Sequence, residues 1–340
     1  MRSKTGGGNL ESASIASRLS SPPVPSMAEL ERAVALSANR LAELQEPDGG
    51  FPLAAVASET LGSPGDSLFS TATVISLAAP VLSAECLSRG TAYILSRQNQ
   101  QGLWTWDAEA LLPPDSDDTA CCLGALVRAG VNVDTRAGIR ALRKFWRWRG
   151  PFRTWLAKGA WNARRRDDAV VNCNVLWALR ELGAAPSRAE QRAVERIVAK
   201  QRDATPYYCS KGALAWAAAR AAIPTPYLDR PSEAELAGRP LECALWMLAT
   251  PVPSTTAIAQ LLDLVGKQSE WKAEPWVRGN PGRWESRAVT LAFVLAALRH
   301  SIDRSSFGSE ALTDRTQCPT VCEDESDPAT NRPRQQIDDG

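Results

Sequence analysis

The chain has 340 residues, of which 44% are hydrophobic and 23% are charged, and its formal net charge at neutral pH is +1. This length is enough for one large hydrophobic core or two small ones. The balanced charge gives no global attraction to nucleic acid, so we expect no nucleic-acid partner. No stretch approaches the roughly 18–20 apolar residues of a membrane span, and the N-terminus lacks the apolar core of a signal peptide, so we expect a cytoplasmic protein.

The two ends of the chain differ in composition from its middle. Residues 1–26 are rich in Gly, Ser and Pro, and residues 301–340 are polar and interrupted by Pro. Neither end can bury enough apolar surface to offset the entropy lost on ordering. We therefore predict a disordered N-terminal tail over 1–26, one folded domain over 27–300 and a disordered C-terminal tail over 301–340.

Between the tails, apolar residues recur at spacings of three and four, which predicts about twelve helices. No segment alternates for long between apolar and polar residues, as a half-buried strand would. Amphipathic, charged helices alternate with small, apolar ones. The charged helices are predicted at 27–45, 84–98, 134–149, 187–201, 229–238 and 254–267, and the apolar helices at 67–80, 117–130, 168–182, 208–222, 240–249 and 285–299.

The alternation of the two helix types predicts how they pack. A helix that is apolar on all sides must be buried on all sides. Six apolar helices in an inner ring, enclosed by six charged helices in an outer ring, satisfy this requirement. We therefore predict an all-α fold, an (α/α)6 barrel built from six helical hairpins.

A short motif marks the junctions after the first two charged helices. Gln45–Phe51 and Gln98–Trp104 both have the form Q-x-x-x-G-x-aromatic, and weaker echoes follow Gln201 and Gln268. Gly lets the backbone turn out of the helix, the aromatic ring packs beneath the turn, and Gln bonds neighbouring backbone groups. We interpret these residues as structural.

Three aspartates, Asp115, Asp117 and Asp118, lie within four residues at the start of the second apolar helix. Two interpretations are open at this point. Acidic residues are favoured at a helix N-terminus, so the three could merely cap the helix after two prolines. Alternatively, mutual repulsion and desolvation would keep one carboxyl protonated, as a proton donor requires.

Residues 115–120, DSDDTA, resemble the DxDDTA motif of class II terpene cyclases, the squalene-hopene cyclase family, at every fixed position. The Q-x-x-x-G-x-W element resembles the QW repeat of the same family. The resemblance covers 27–300 and implies an α/α toroid in which Asp117, the middle aspartate, donates the initiating proton while Asp115 and Asp118 tune it. Typical members have two barrels and this chain has one, which leaves open a partner barrel or a homo-oligomer.

The resemblance implies proton-initiated cyclisation of a linear isoprenoid. One barrel offers less room than two, and Arg164, Arg165 and Arg166 immediately precede an apolar helix and suit diphosphate capture. We therefore expect a prenyl diphosphate such as farnesyl or geranylgeranyl diphosphate, and Mg²⁺ binding with that diphosphate is left open. The alternative is a non-catalytic toroid that binds a lipid or a partner protein.

A carbocation needs an apolar, electron-rich cage, and aromatic faces, Trp above all, stabilise cations. The candidate substrate-binding residues near the acidic cluster are Trp104, Trp106, Tyr207, Tyr208, Trp284 and Phe69, together with Asn172 and Asn174, two polar residues inside an apolar run. The deeper Trp177, Trp216 and Trp246 are expected to line the lumen of the barrel or to fill it.

Two further features of the sequence concern partners and metals. One stretch is both basic and aromatic: it includes RKFWRWR at 143–149 and the three arginines at 164–166. Three interpretations are open, namely a solvated outer segment, diphosphate capture and peripheral contact with a membrane surface. The only histidine, His300, has no Asp-x-Cys pair nearby, so we predict no zinc site. The acidic cluster fails the DDxxD magnesium motif at Cys121, so no metal ligand is predicted.

Overall fold

The computed structural model describes residues 24–56, 67–106, 112–148, 150–156, 167–226, 228–267, 273–279 and 282–310. Every predicted helix is confirmed within these ranges. The helices are α1 Met27–Leu44, α2 Leu68–Ala78, α3 Ala84–Ser96, α4 Ser116–Arg128, α5 Thr135–Arg143, α6 Ala169–Glu181, α7 Arg188–Lys200, α8 Lys211–Arg220, α9 Glu233–Leu236, α10 Pro240–Ala249, α11 Thr255–Gly266 and α12 Arg287–Glu310. Most of both predicted tails, residues 1–23 and 311–340, lies outside the described residues.

The apolar helices form a closed inner ring. Each of α2, α4, α6, α8, α10 and α12 packs on the next, and α12 packs back on α2. The charged helices lie outside this ring, with α1 against α12, α3 against α2, α7 against α6 and α11 against α10. The burial follows the composition, because residues 169–179 of α6 are all buried whereas the long α1 buries one stripe. The predicted (α/α)6 barrel is confirmed.

The first junction motif has the structural role expected of its residues. Gln45 Nε2 donates to the carbonyl oxygens of Gly49 and Cys86, both at 3.0 Å. Gly49 has a φ of +96°, and a Cβ there would lie 2.4 Å from the carbonyl oxygen of Arg89. Phe51 is completely buried beneath the turn. A side chain at position 49 would therefore separate α3 from the end of α1.

Four predicted helices have wrong boundaries. α9 covers only Glu233–Leu236 of the predicted 229–238, because Ser232 caps its start and Gly238, with a φ of +72°, follows its end. α5 ends at Arg143 instead of 149, because the chain folds back and the Arg153 amide donates to the Phe145 carbonyl at 2.8 Å. α8 begins at Lys211, since the residues before it pair with a strand. α12 continues to Glu310, beyond the predicted end at 299, and Ser301 is still buried there.

A small antiparallel sheet was not predicted. Its strands are β1 Ala54–Ala55, β2 Pro275–Gly279 and β3 Gly282–Glu285, in the order β1-β3-β2. Tyr208 pairs with Val277 of β2 as an isolated bridge, and the Cys209 amide donates to the Trp276 carbonyl at 3.1 Å. The sheet thus fixes the chain that enters α8. Among the described helices, none has the length and apolar composition needed to cross a membrane.

Candidate active site

The acidic cluster begins α4, and its backbone is held from two sides. The Asp115 amide donates to the Trp104 carbonyl at 3.2 Å, and the Ser116 amide donates to the Thr154 carbonyl at 2.8 Å. Asp115 is the N-cap residue, and its Oδ1 accepts from the Asp118 amide at 2.7 Å. For Asp115 the capping interpretation is therefore correct, because its carboxylate oxygen binds the first turn of its own helix.

Asp117 differs from its two neighbours in exposure and in partners. Asp115 and Asp118 are only 3% and 1% exposed, whereas Asp117 keeps part of its surface accessible. Asp117 Oδ2 accepts from the Tyr208 hydroxyl at 2.5 Å, and Oδ1 accepts from Asn174 Nδ2 at 2.7 Å. The helix cap does not use the Asp117 carboxyl, which instead contacts side chains of α6 and of the strand-like segment before α8.

The electrostatics of Asp115 and Asp117 favour the protonated carboxyl. Burial raises the pKa of Asp117, while the hydrogen bonds from Tyr208 and Asn174 and the charge of Arg220 lower it. Burial also raises the pKa of Asp115, and the hydrogen bond with the Asp118 side chain opposes that rise. Desolvation therefore favours the neutral acid at Asp117, and its hydrogen-bond donors favour the carboxylate that remains after proton loss.

Arg220, the last residue of α8, is a site residue that sequence analysis missed. Its guanidinium carbon lies 3.7 Å from the ring centroid of Trp216 and 4.1 Å from that of Trp177. Nη2 donates to Asn174 Oδ1 at 2.6 Å. Burial lowers the pKa of Arg220, and the neighbouring charge of Asp117 is among the effects that oppose this. A cation therefore lies between two indole rings inside the barrel.

Arg220 also fixes the orientation of Asn174. A guanidinium can only donate hydrogen bonds, so the amide oxygen of Asn174 must face Arg220. The amide nitrogen must then face Asp117, to which it donates at 2.7 Å. Asn174 thus relays the positive charge of Arg220 to the carboxyl of Asp117 through two hydrogen bonds. The sequence signal was the four-residue spacing of Arg220 from Trp216, which places both on one face of α8.

Aromatic rings surround Tyr208 near the acidic cluster. The Phe69 ring centroid lies 5.7 Å from that of Trp106 and 6.3 Å from that of Tyr208. Trp106 contacts Trp284 at 6.4 Å, and Tyr208 contacts Trp276 at 5.2 Å. Four predicted residues, Phe69, Trp106, Tyr208 and Trp284, are thus brought together. Trp276 was missed, because it lies on the unpredicted strand β2.

Two predicted residues bind the backbone instead, and a third, Tyr207, contacts another side chain. Trp104 is 1% exposed and donates its indole nitrogen to the Ile94 carbonyl at 2.8 Å, so it packs against α3. Asn172 accepts from the Phe152 amide at 2.7 Å and donates to the Phe152 carbonyl at 3.3 Å. Tyr207 contacts Trp155, from whose indole nitrogen its hydroxyl accepts at 3.3 Å. Arg164, Arg165 and Arg166 lie outside the described residues.

The deeper tryptophans fill the lumen of the barrel more than they line a cavity in it. A Cβ on Gly124 of α4 would lie 2.2 Å from the Trp177 ring, so that ring lies directly on the glycine. Trp177 and Trp216 are 3% and 7% exposed, and Arg220 lies between them. Trp246 donates to Glu242 Oε1 at 3.0 Å. The lumen is therefore occupied at the level of the Trp177–Arg220–Trp216 stack.

No cluster of metal-ligating side chains is found in the part of the chain that the structure describes. Three or more His, Cys, Asp or Glu side chains never group there in a way that could hold an ion. His300 lies within α12, and burial lowers the pKa of its imidazole.

No family model and no curated protein matches the chain. Solved structures do match. The apo structure of the type II terpene cyclase MstE from Scytonema is 16% identical, with a TM-score of 0.61 over 82% of this chain and 99% of that one. A variant of MstE bound to geranylgeranyl dihydroxybenzoate, its substrate, is 16% identical with a TM-score of 0.57 over 81% and 98%. A protein from Actinoplanes is 17% identical with a TM-score of 0.58 over 80% and 99%. The fold is therefore that of class II terpene cyclases.

Proposed function

We propose that the chain is a terpene cyclase that starts its reaction by protonating a linear isoprenoid, with Asp117 as the general acid. One observation carries the proposal. In the DSDDTA motif, Asp117 alone combines accessible surface, a raised carboxyl pKa and two side-chain donors that are not part of the helix cap. A carboxyl that is neutral before the reaction and well solvated by fixed donors after it has the properties of a proton donor.

The proposed chemistry begins with proton transfer from Asp117 to the CH carbon of the terminal alkene, (CH3)2C=CH–. The alkene π pair forms the new C–H bond and leaves a tertiary carbocation on the adjacent dimethyl carbon. The π pair of the next alkene then closes a ring C–C bond and moves the positive charge along the chain. Finally a C–H proton passes to a base, and its bonding pair forms a new alkene. The product is then an isomer of the substrate. If the C–O bond to a diphosphate also breaks, the diphosphate leaves with the bonding pair and the enzyme is a lyase.

The residues around Asp117 have distinct proposed tasks. Tyr208 and Asn174 stabilise the carboxylate that proton transfer leaves, and Arg220 adds positive charge through Asn174. Phe69 and Trp106 offer ring faces to the carbocation. Because each hydrogen bond strengthens as the carboxylate forms, these contacts favour the charged product over the neutral acid.

The substrate proposal is a prenyl diphosphate of farnesyl or geranylgeranyl size. The solved substrate complex of MstE contains a geranylgeranyl chain on an aromatic acid, so an isoprenoid with a different anionic head group is the second substrate to test. Arg164, Arg165 and Arg166 are proposed to bind the head group. With a diphosphate, we expect Mg²⁺ to arrive as its counter-ion.

The test is incubation of the purified chain with farnesyl diphosphate, geranylgeranyl diphosphate and geranylgeranyl dihydroxybenzoate, with products identified by GC-MS or LC-MS. Asp117→Asn removes the transferable proton and keeps the shape, so product formation should fall at least a thousandfold while the fold is retained. Asp134→Asn is the matched control, because Asp134 caps α5 by accepting from the Ala137 amide at 2.9 Å. Full activity in Asp117→Asn would remove Asp117 from the mechanism.

A non-catalytic toroid that binds a lipid or partner protein is the second candidate, and the occupied lumen favours it. The two cavities beside α8 have volumes of about 60 and 240 Å³ and are lined by residues such as Asp203 and Lys211, and Asp117 borders neither. Failure of every isoprenoid to react, together with stoichiometric binding of one of them in calorimetry, would favour this candidate over the enzyme.

A further inference from the structure

One segment of the chain carries a strong charge asymmetry. Residues 135–153 contain seven Lys and Arg and no Asp or Glu, although the whole chain has 39 basic and 38 acidic residues. Solubility alone would be served by mixed charges, as on the neighbouring helix α7, which has basic and acidic residues in alternation. A run of one sign in a neutral chain therefore points to an anionic partner.

The basic residues of α5 form one exposed stripe. Arg136, Arg140 and Lys144 are exposed and lie four residues apart, so they share one side of the helix. The opposite side, with Ala141 and Leu142, is buried against the barrel. No acidic side chain of the described residues forms an ion pair with these three. Two other basic residues of the segment are paired, Arg143 with Glu190 at 3.5 Å and Arg147 with Asp167.

An exposed indole follows the stripe. Trp148 is 84% exposed, more than any other large hydrophobic side chain that the structure describes. The nearby Trp146, by contrast, packs on the protein, because its ring centroid lies 5.0 Å from that of Phe152. Trp148 is four residues from Lys144, so the chain holds the two within about 14 Å. An indole combines an apolar body with one N–H donor and favours the interface between water and lipid.

The position of this surface relates it to the candidate site. The loop that carries Trp148 continues to Thr154 and Leu156, whose backbones bond residues 114–116 at the start of α4. The exposed indole therefore lies towards the end of the barrel at which the acidic cluster is found.

We propose that the stripe of Arg136, Arg140 and Lys144, together with Trp148, docks on an anionic lipid surface. The basic side chains attract the lipid head groups, and the indole inserts among them. A single exposed aromatic ring suits a lipid interface better than a single-stranded nucleic acid, which needs several rings on which successive bases stack. This proposal stands independently of the cyclase proposal, because it concerns only the outer surface.

The test is co-sedimentation of the full chain with vesicles of phosphatidylcholine alone and of phosphatidylcholine mixed with phosphatidylglycerol. We expect binding to the anionic vesicles only, with release at high salt. The triple variant Arg136→Gln, Arg140→Gln, Lys144→Gln should weaken binding about fivefold per residue, on the order of a hundredfold in all. Trp148→Ser should weaken it on its own.

The matched control removes the same charge from the mixed helix. Arg188→Gln, Arg192→Gln, Lys200→Gln changes three exposed residues of α7 and should keep most of the binding. The proposal is overturned if the wild type does not sediment with anionic vesicles, or if the two triple variants lose binding equally. Tighter binding to single-stranded DNA than to the vesicles would also overturn it and assign the surface to nucleic acid.

Discussion

Arg220→Met tests whether the buried guanidinium sets the acidity of Asp117. Hydrogen bonds of 2.6 and 2.7 Å through the Asn174 amide place the guanidinium roughly 7 Å from the carboxyl oxygen. At an effective dielectric constant of about 20, two unit charges at that distance interact by about 2 kcal/mol. Loss of the charge should therefore raise the pKa of Asp117 further.

The sign of the kinetic effect follows from the role proposed for Asp117. A general acid works in its protonated form, so activity falls as the pH rises through its pKa. In Arg220→Met this fall should move to higher pH, and the rate on the acid side should decrease because a weaker acid gives up its proton less readily. The assay is product formation from the accepted isoprenoid across pH, at saturating substrate.

Two controls separate charge from packing. Arg220→Lys keeps the charge and a donor, so its pH profile should stay near that of the wild type. Arg128→Met removes a second cation, whose guanidinium carbon lies 5.6 Å from the Trp177 ring centroid. Because Arg128 is already paired with Glu181, the pH profile of this variant should not move. If the fall in activity occurs at the same pH in Arg220→Met and in the wild type, the charge relay through Asn174 is refuted.

Two predictions concern stability. Gly124→Ala should lower the free energy of unfolding in urea by about 1–3 kcal/mol, because its Cβ would lie 2.2 Å from the Trp177 ring. Gly266→Ala is the control: its Cβ would meet nothing within 4 Å, so the free energy of unfolding should fall by no more than a few tenths of a kcal/mol. Burial raises the pKa of Asp168 to about 6, so the folded state holds a proton that the unfolded state has released. The stability that Asp168 contributes should therefore be fully present below about pH 4 and be lost, by up to about 3 kcal/mol, as the pH rises through 6. Asp168→Asn should flatten that fall, and an unchanged slope would contradict the assignment.

The helical fold could be predicted because composition and burial agree over the residues that the structure describes. The uncharged α2 has no polar face to present to water, so only an inner position suits it. The sheet could not be predicted, because β1 has two residues and β3 four, too few for an alternating pattern. The end of α5 was misplaced because Phe145 and Trp146 continue the helical period, although the chain turns there, burying Phe145 and packing Trp146 against Phe152.

The candidate site was harder to predict than the fold, as the two asparagines of α6 show. Asn172 and Asn174 are two residues apart, so they point to nearly opposite sides of the helix. One faces the backbone at Phe152 and the other faces Asp117. The sequence marks both as unusual in an apolar run, yet only the neighbours that each side meets in the fold distinguish a structural amide from a site residue.

The position of Arg220 also restricts where a carbocation could form. A guanidinium and a carbocation are both cations, and they would repel each other within one low-dielectric cage. Arg220 occupies the space between Trp177 and Trp216. If Asp117 protonates the substrate as proposed, we therefore expect the cation to develop away from this stack, beside Phe69, whose ring contacts those of Trp106 and Tyr208.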